Sequence, residues 1–573
     1  IRSAVGTEGT LTPISGQPNY ETFTFQPSGN QKRKFLALRF DVNFHKNHAL
    51  EVVLNRQKFY PGTDFLNSVE PRYPGFPAYG QGSERNSTAI AVRSTITQNI
   101  VNEARYAQSF GDSAFFATIS AADFDYMGGH NLGVDAAGIT TPVALNSKSG
   151  RSTPTYDFTD NMTWNAGSHS ISFGGQYKII RSLGSANNRI VPSVGFGIDS
   201  TDGIEFTMFN STTMPGSTTA IQGSARAVYA TLIGRVLSYT TTAYLGQDGQ
   251  YAENGPLFRA AKQTTYGLYA QDSWRMSPTF TMNFGVRWQP QTPWIAKSVG
   301  NYSRLESFDQ VYGLSGLGNI FKPGTLTGTA PRVIPLQPGD EAYPGDYNNF
   351  APTLGVVWSP DFGGGFLGSV FGGAGKSVFR GGYSVSFVRE GANLLESING
   401  ANPGGALSLS RSLGLGNLTV GTNLRDLNNP NLTPRPGIVG TSPAYPIALT
   451  TADSTNAFDP NLKTGTVHSF SFGYQREIDK NTVIELRYVG NRGIDLQRQY
   501  NINEFNTIEN GFGAEFLLAQ QNLYANIAAG RGNTFAYFGA GAGTSLLPIM
   551  LAYFNSAAIY DPTNPARYSA SNF

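Results

Sequence analysis

A strict alternation between apolar and polar side chains runs through residues 264–288, and it limits what the chain can fold into more than any other feature. In its second half the apolar positions are Phe280, Met282, Phe284, Val286 and Trp288. Successive side chains of a β-strand point to opposite faces, so the pattern predicts a strand with one apolar face. The stretch from Tyr266 to Arg275 alternates in the same way, with Asp272 as an acidic exception on the apolar side. The short connection at residues 276–278 predicts an antiparallel hairpin.

We call the alternate positions that include Phe284 the apolar phase, and the positions between them the polar phase. The same alternation recurs at residues 35–44, 50–55, 90–96, 156–164, 171–179, 350–359, 378–387, 470–474 and 484–488. These stretches predict roughly a dozen to fourteen strands, many approaching the ~10 residues that a tilted strand needs to cross a membrane. The predicted fold class is therefore all-β and antiparallel.

The connections between these strands have two very different lengths. Turns of a few residues alternate with long segments near 181–263, 289–348 and 389–465, which are rich in Gly, Pro, Asn, Ser and Thr. Short turns at one rim and long extracellular loops at the other are typical of transmembrane β-barrels of the outer membrane. Residues 509–529 have a helical pattern that ends at Gly530, which predicts a helix inside a long loop.

The composition agrees with a large β protein whose outer face is not in water. Charged residues make up 14% of the chain, against roughly 25% in soluble proteins. The net charge is +2 with both signs interspersed, which argues against a nucleic-acid partner. The absence of cysteine excludes a disulfide scaffold and a thiolate metal site. No apolar run is long enough for a transmembrane helix, and the chain begins without a signal peptide, so we expect a fragment of a longer protein.

Four tryptophans lie in the apolar phase close to a strand end: Trp164, Trp274, Trp288 and Trp358. Indole side chains prefer the boundary between membrane and water, and barrels have aromatic girdles at both rims. The pattern therefore predicts these four residues as membrane-interface anchors. Packing at the edge of a soluble β-sandwich is the alternative, since it also places aromatic residues near strand ends.

No stretch of the sequence matches a complete enzyme or cofactor-binding motif. Residues 372–377 (GGAGKS) resemble a phosphate-binding loop, but the required first glycine is Val370 and a strand, not a helix, follows. A flexible turn within the glycine-rich connection 363–375 is the better interpretation. His45 and His48 flank a hairpin turn without a third ligand nearby, so they are expected to face solvent. We therefore expect no catalytic residue, no metal site and no cofactor.

Several phrases resemble one family of membrane proteins. Residues 266–275 (YGLYAQDSWR) and 283–288 (NFGVRW) resemble the barrel of TonB-dependent outer-membrane receptors and are most similar to its Oar-like group. Residues 67–72 (NSVEPR), 74–77 (PGFP) and 488–493 (YVGNRG) resemble the same group. The similarity runs over most of residues 34–540.

The resemblance implies a barrel of about 22 strands with an internal plug, energised through TonB and importing a bulky ligand across the outer membrane of a Gram-negative cell. Residues 1–33 are expected to be loop or partial strand, and residues 34–573 a barrel segment without its plug and final strands. The implied partners are outer-membrane lipid, the TonB complex through the missing plug region, and an extracellular ligand of unknown identity. The family's ligand residues follow no motif, so none is transferred to this chain.

Two other functions remain open at this point. A passive porin-like channel would show the same alternation, and a soluble β-rich adhesin or carbohydrate-binding protein would stack its apolar faces on each other. The lipid-facing interpretation predicts that a charge placed at Phe284 destabilises the protein.

Overall fold

A computed structural model gives the fold of the chain. It describes residues 8–26, 31–61, 73–74, 79–117, 120–134, 137–138, 140–141, 148–187, 190–311, 313, 328–389, 391–414, 418, 421–423, 443–450, 453–501, 507–508, 510–555, 561–568 and 573. Most of the residues in the phrases 67–72 and 74–77 lie outside these ranges. Contacts divide the chain into a first unit (1–304, 334–445 and 455–497) and a second unit (305–333, 446–454 and 498–573).

The described residues form mainly β-strands. The strands are β1 (Gly9–Ile14), β2 (Gln17–Phe25), β3 (Gln31–His45), β4 (His48–Pro61), β5 (Tyr79–Thr97), β6 (Ile100–Ala117), β7 (Asn131–Gly133), β8 (Lys148–Ser152), β9 (Thr155–Ala166), β10 (His169–Asn187), β11 (Ser193–Phe196), β12 (Val236–Leu245), β13 (Tyr251–Glu253), β14 (Leu257–Ser277), β15 (Phe280–Trp288), β16 (Ile295–Ala296), β17 (Ser303–Leu305), β18 (Arg332–Pro335), β19 (Phe350–Trp358), β20 (Ser377–Phe387), β21 (Ala406–Ser412), β22 (Ile447–Ala448), β23 (Thr466–Asp479) and β24 (Thr482–Ile494).

The helices are fewer, and among the described residues only α2 and α5 are long, with 15 and 17 residues. The α-helices are α1 (Ile204–Thr207), α2 (Thr219–Ile233), α3 (Gly365–Phe371), α4 (Ala392–Ile398), α5 (Phe512–Ala528) and α6 (Pro548–Asn555). Short 3-10 helices lie at Ala121–Met127, Ser200–Asp202 and Pro565–Arg567. Within the described ranges, we find no helix with the length and hydropathy to span a bilayer.

A fourteen-stranded antiparallel sheet dominates the first unit. Twelve of its strands follow one another in chain order, β3-β4-β5-β6-β8-β10-β14-β15-β19-β20-β23-β24, while β9 pairs with β6 and β10 and β16 pairs with β14. Strands β8 and β9 both lie between β6 and β10, because Thr153 and Pro154 interrupt what is otherwise one strand. Proline has no N–H to give to the ladder, which explains the break. The predicted all-β antiparallel architecture is confirmed.

Two-residue turns join the strands at one rim of this sheet. They lie at residues 46–47, 98–99, 167–168, 278–279 and 480–481, and we call this edge the short-turn rim. The strands extend far from it, with 19 residues in β10 and 21 in β14. Their distal halves escaped prediction because the strict alternation of apolar and polar residues stops there.

The long segments between strands contain a folded layer. Strands β7, β11, β12, β13 and β21 form a five-stranded sheet, and β12 is buried along most of its length. A cluster around Val194, Val236 and Leu413 joins this sheet to α2 through Ala230. A second cluster surrounds Trp294, which is 1% exposed. These segments were predicted as long loops because Gly, Pro and Ser interrupt their apolar residues.

Two further segments differ from a plain loop. Strands β1 and β2 form a hairpin within residues 1–33, the part predicted as loop or partial strand. Its alternating threonines, at positions 10, 12, 22 and 24, suit a strand, but the apolar positions between them, Leu11, Phe23 and Phe25, form only a short face. The glycine-rich connection 363–375, predicted as a flexible turn, contains α3.

The second unit contains the predicted loop helix. α5 spans Phe512–Ala528 and is followed by Gly530, whose φ of 70° only glycine adopts freely. Leu547 and Leu551 are fully buried against this helix region, in a cluster that includes Ala519. The Glu515 carboxylate accepts the backbone N–H groups of Ile549 (2.9 Å) and Met550 (2.7 Å), so α5 caps the first turn of α6.

Candidate functional site

The apolar phase forms continuous rows across the large sheet. One row, aligned by the strand register, consists of Phe40, Val52, Ile90, Tyr106, Phe158, Tyr177 and Tyr266. These side chains are not covered: Phe40 is 53% exposed, and Leu268 and Phe350, which share the next row, are 56% and 57% exposed. The buried clusters of the first unit lie in its long segments instead. We call this exposed apolar face the belt.

Such a belt is stable only where something other than water covers it. Soluble monomers rarely expose contiguous apolar patches larger than a few hundred Å². A strand needs about 9–11 residues to cross a bilayer. Apart from β8 and β16, the strands of this sheet have 9 to 21 residues and so provide that length. The geometry therefore agrees with hydrocarbon on the belt and disfavours the soluble sandwich, which would stack its apolar faces.

The four predicted tryptophans all lie in the belt at the ends of strands. Trp164, Trp274 and Trp358 are next to the short-turn rim, where Trp164 and Trp358 are 44% and 42% exposed. Trp288 lies at the opposite end of β15, and its Nε1 donates to the Tyr347 carbonyl oxygen at 2.8 Å. The structure thus places these residues at two levels of one face. Their role as interface anchors stays a prediction.

Two aspartates interrupt the belt, and both have a partner on the same face. His169 Nδ1 lies 2.6 Å from Asp272 Oδ2. Asn102 donates to the Asp160 carboxylate from the neighbouring strand. Charged groups in hydrocarbon are costly unless they are paired or close to the interface. Both pairs lie in the half of the sheet that is nearer the short-turn rim.

The polar phase on the other face carries a ladder of charges. Its members on β3 to β6 are Arg39, Asp41, Glu51, Arg93, Glu103 and Arg105, with N–O distances of 2.7 to 3.0 Å within the ion pairs. The Arg39 and Arg93 side chains are 60% and 63% exposed. Exposed ion pairs contribute only about 0–1 kcal/mol each, so the ladder marks a water-filled face more than a source of stability.

A polar cavity of about 580 Å³ lies on the first unit at the end of the sheet away from the short-turn rim. Its charged and amide-bearing lining residues are Arg85, Asp112, Arg151, Arg259, Asn393 and Glu396. The Arg259 guanidinium is held in place by the Glu396 carboxylate at 3.1 Å and by the Asn301 carbonyl oxygen at 3.1 Å. Glu396 also accepts the Tyr302 hydroxyl at 2.5 Å.

Two other guanidinium groups in this cavity are less constrained. Arg85 and Arg151 are exposed, and among the described residues neither has an acidic side chain within 4.0 Å. Asp112 is occupied with the backbone N–H of Glu84, which it accepts at 2.6 Å. The sequence did not reveal this cavity, because its residues come from β5, β6, β8, β10, β14 and α4 and share no motif or spacing.

Comparison with known proteins agrees with this geometry. The family model described as an outer membrane beta barrel domain matches residues 9–559. No curated protein matches the chain. One similar solved structure is the outer-membrane transporter YddB from Escherichia coli, at 12% identity and a TM-score of 0.36, with 84% of this chain and 42% of that chain covered.

Two other solved structures have the same level of similarity. The ferric-catecholate import receptor Fiu from E. coli K12 has 13% identity and a TM-score of 0.33, with 84% of this chain and 52% of that chain covered. The alcaligin receptor FauA from Bordetella pertussis has 10% identity and a TM-score of 0.30, with 81% and 53% covered. The chain thus spans about half the length of these proteins. By its family match over most of its length, the chain belongs to the outer-membrane β-barrel domain family and is located in the outer membrane of Gram-negative bacteria.

Proposed function

We propose that this chain is the barrel part of a TonB-dependent receptor, of the Oar-like type, that takes up a bulky ligand. The proposal rests on the phrases at residues 266–275 and 488–493 and on the separation of the two faces of the sheet. The belt meets lipid, while the charge ladder lines an aqueous interior. Uptake in this class is a gated binding process, so the barrel contributes binding and passage and no covalent chemistry on the ligand.

The observation that supports capture of a ligand most directly is the cavity with Arg85 and Arg151. Its volume lies within the roughly 300–1,000 Å³ range of small-ligand sites. Guanidinium groups bind carboxylate and phosphate oxygens through paired, charge-assisted hydrogen bonds. Because neither group has an acidic partner in the described ranges, we propose a ligand that presents carboxylate or phosphate groups at this end of the barrel.

Binding of two simple anions tests the ligand class. Citrate and inorganic pyrophosphate are titrated into the full-length protein in detergent, and binding is measured by calorimetry. We expect the double variant R85Q/R151Q to lose most of the binding. R39Q is the matched control. It also removes a positive charge from the polar face of the sheet, but Arg39 already pairs with Asp41 and Glu51. Equal binding by all three proteins, or none by the parent, would overturn the anionic assignment.

Conductance tests the receptor against the passive channel. In planar bilayers with potassium chloride, we expect the full-length protein to show little steady conductance, since a plug would occlude it. A large, stable conductance in the parent protein would favour the porin-like alternative and contradict the proposal.

A further inference from the structure

The connection between β19 and β20 differs from the other turns at the short-turn rim. It spans residues 359–376 and contains α3, whereas its neighbours are turns of two residues. Its start is fixed to the rim, since the Ser359 N–H donates to the Thr279 carbonyl oxygen at 2.8 Å. Its end is fixed as well, because Lys376 Nζ lies 2.6 Å from the Glu477 carboxylate.

Aromatic contacts hold α3 on the belt side of the sheet. The Phe371 ring lies 5.6 Å from Phe379 and 5.8 Å from Tyr474, centroid to centroid. Phe362 completes the cluster, at 5.2 Å from Phe371 and 5.9 Å from Trp358. The strand residues of this cluster, Trp358, Phe379 and Tyr474, all belong to the apolar phase. The helix therefore lies against the lipid-facing side and not against the polar side.

Polar contacts fix the same position. Arg476, which follows Tyr474 in the apolar phase, donates from Nη2 to the Ser369 carbonyl oxygen at 3.0 Å. The Ser377 hydroxyl donates to the Phe371 carbonyl oxygen at the end of the helix. These bonds satisfy backbone carbonyls of a helix that is too short to satisfy its own ends.

The outer side of α3 is apolar and uncovered. Phe366 is 80% exposed, Leu367 49% and Val370 37%. At 100° per residue these three side chains lie within one arc, next to Phe371. No charged residue occurs between Asp361 and Lys376. A glycine-rich, uncharged helix with its aromatic side outward suits the boundary between headgroups and acyl chains.

We propose that α3 is an interfacial anchor, with Phe366, Leu367 and Val370 inserted into the phospholipid leaflet at the short-turn rim. The occupant is lipid because the apolar side of α3 continues the belt without a break, through Phe371, Phe379 and Tyr474. Short turns of outer-membrane barrels face the periplasm, so the leaflet is the periplasmic one. The anchor adds to the rim tryptophans and sets the depth of the barrel at β19 and β20.

The absence of cysteine from the chain makes a direct test possible. The F366C variant of the full-length protein, with any cysteine outside these 573 residues replaced by serine, is labelled with an environment-sensitive nitrobenzoxadiazole probe and reconstituted into phosphatidylethanolamine–phosphatidylglycerol vesicles. We expect a blue-shifted emission, quenching by nitroxide-labelled lipid and loss of quenching by aqueous iodide. T279C, an exposed turn position on the same rim, is the aqueous control, and L354C in the belt is the lipid control.

Two results would overturn the proposal. Iodide quenching of F366C as strong as that of T279C would place α3 in water. A blue shift without quenching by lipid nitroxide would show that protein, not lipid, covers the helix. Heat-modifiable migration on gels confirms that each labelled variant is folded, and Phe366 is exposed enough for the substitution to leave the barrel intact.

Discussion

His169 pairs with Asp272, one of the two aspartates that interrupt the belt. Its Nδ1 lies 2.6 Å from Asp272 Oδ2, and its ring stacks on Trp274 with centroids 5.1 Å apart and an interplanar angle of 18°. The Asp272 side chain is 12% exposed, against 37% for His169. The alternation of β14 alone would present this carboxylate to lipid, and the neighbouring strand β10 supplies its partner.

Removing that partner is expected to destabilise the barrel. In H169A the Asp272 carboxylate keeps its position but loses its hydrogen bond, which should lower the free energy of unfolding by about 1–3 kcal/mol. Urea unfolding in phospholipid vesicles measures the change. The double variant H169L/D272L should recover most of the loss, because neither position then places a polar group on the belt. An unchanged unfolding midpoint in H169A would contradict the pairing.

The assignment of the belt to lipid is tested better by a charge at Leu354 than by a charge at Phe284, the position that the sequence suggested. Phe284 pairs directly with Asp272, so an arginine there would find a carboxylate opposite. Leu354, which follows Phe284 in the same row and is 48% exposed, has no acid opposite it in either neighbouring strand. L354R is expected to cost about 2–4 kcal/mol near the bilayer midplane.

The matched control for L354R is T353R, one residue earlier in the polar phase. We expect T353R to unfold within about 1 kcal/mol of the parent, since arginine then faces water. Folding efficiency into vesicles and unfolding in urea compare the two. Equal losses in both variants would mean that the two faces have similar environments.

The layer formed by the long segments depends on a buried ion pair. Arg235 and Asp202 form a salt bridge with side chains only 6% and 3% exposed, and Arg235 Nη1 also donates to the Thr422 carbonyl oxygen at 3.2 Å. D202A leaves an unpaired guanidinium and should cost about 3–5 kcal/mol. Limited proteolysis should then cut near α2 while the large sheet stays resistant. Resistance of α2 in D202A would contradict this role.

The second unit is expected to lose stability as pH rises. Burial raises the pKa of Glu515 above its ordinary value, and the two N–H groups from α6 offset only part of that shift. Between the ordinary pKa of 4.5 and the raised value, the folded state binds more protons than the unfolded state. The contribution of Glu515 to the free energy of unfolding therefore falls as pH rises through this window, and is constant below it.

Hydrogen exchange at the Ile549 and Met550 amides, corrected for intrinsic rates, measures this dependence. E515Q should remove the pH dependence and lower protection by about 1 kcal/mol, because the amide oxygen accepts fewer hydrogen bonds than the carboxylate. The same slope in the parent and in E515Q would assign the pH dependence to another group.

Much of the large sheet could be predicted from local patterns. Alternation predicted the belt face of β14, β15, β19 and β23, and the short connection at residues 276–278 predicted the hairpin of β14 and β15. The helix α5 was predicted within three residues at each end, because its periodicity and Gly530 are local signals. The distal halves of β5, β6 and β10 were missed, since beyond the belt neither face is consistently apolar.

The sequence by itself determined which face of the predicted strands is apolar, where the chain turns back at the short turns and which family the barrel resembles. These properties depend on side-chain period and turn composition, and both act between near neighbours. Only the tertiary structure decided that His169 pairs with Asp272, that Arg85 and Arg151 share a cavity, and that α3 lies on the belt. Those contacts join residues from separate strands, and strand register, not any spacing along the chain, brings them together.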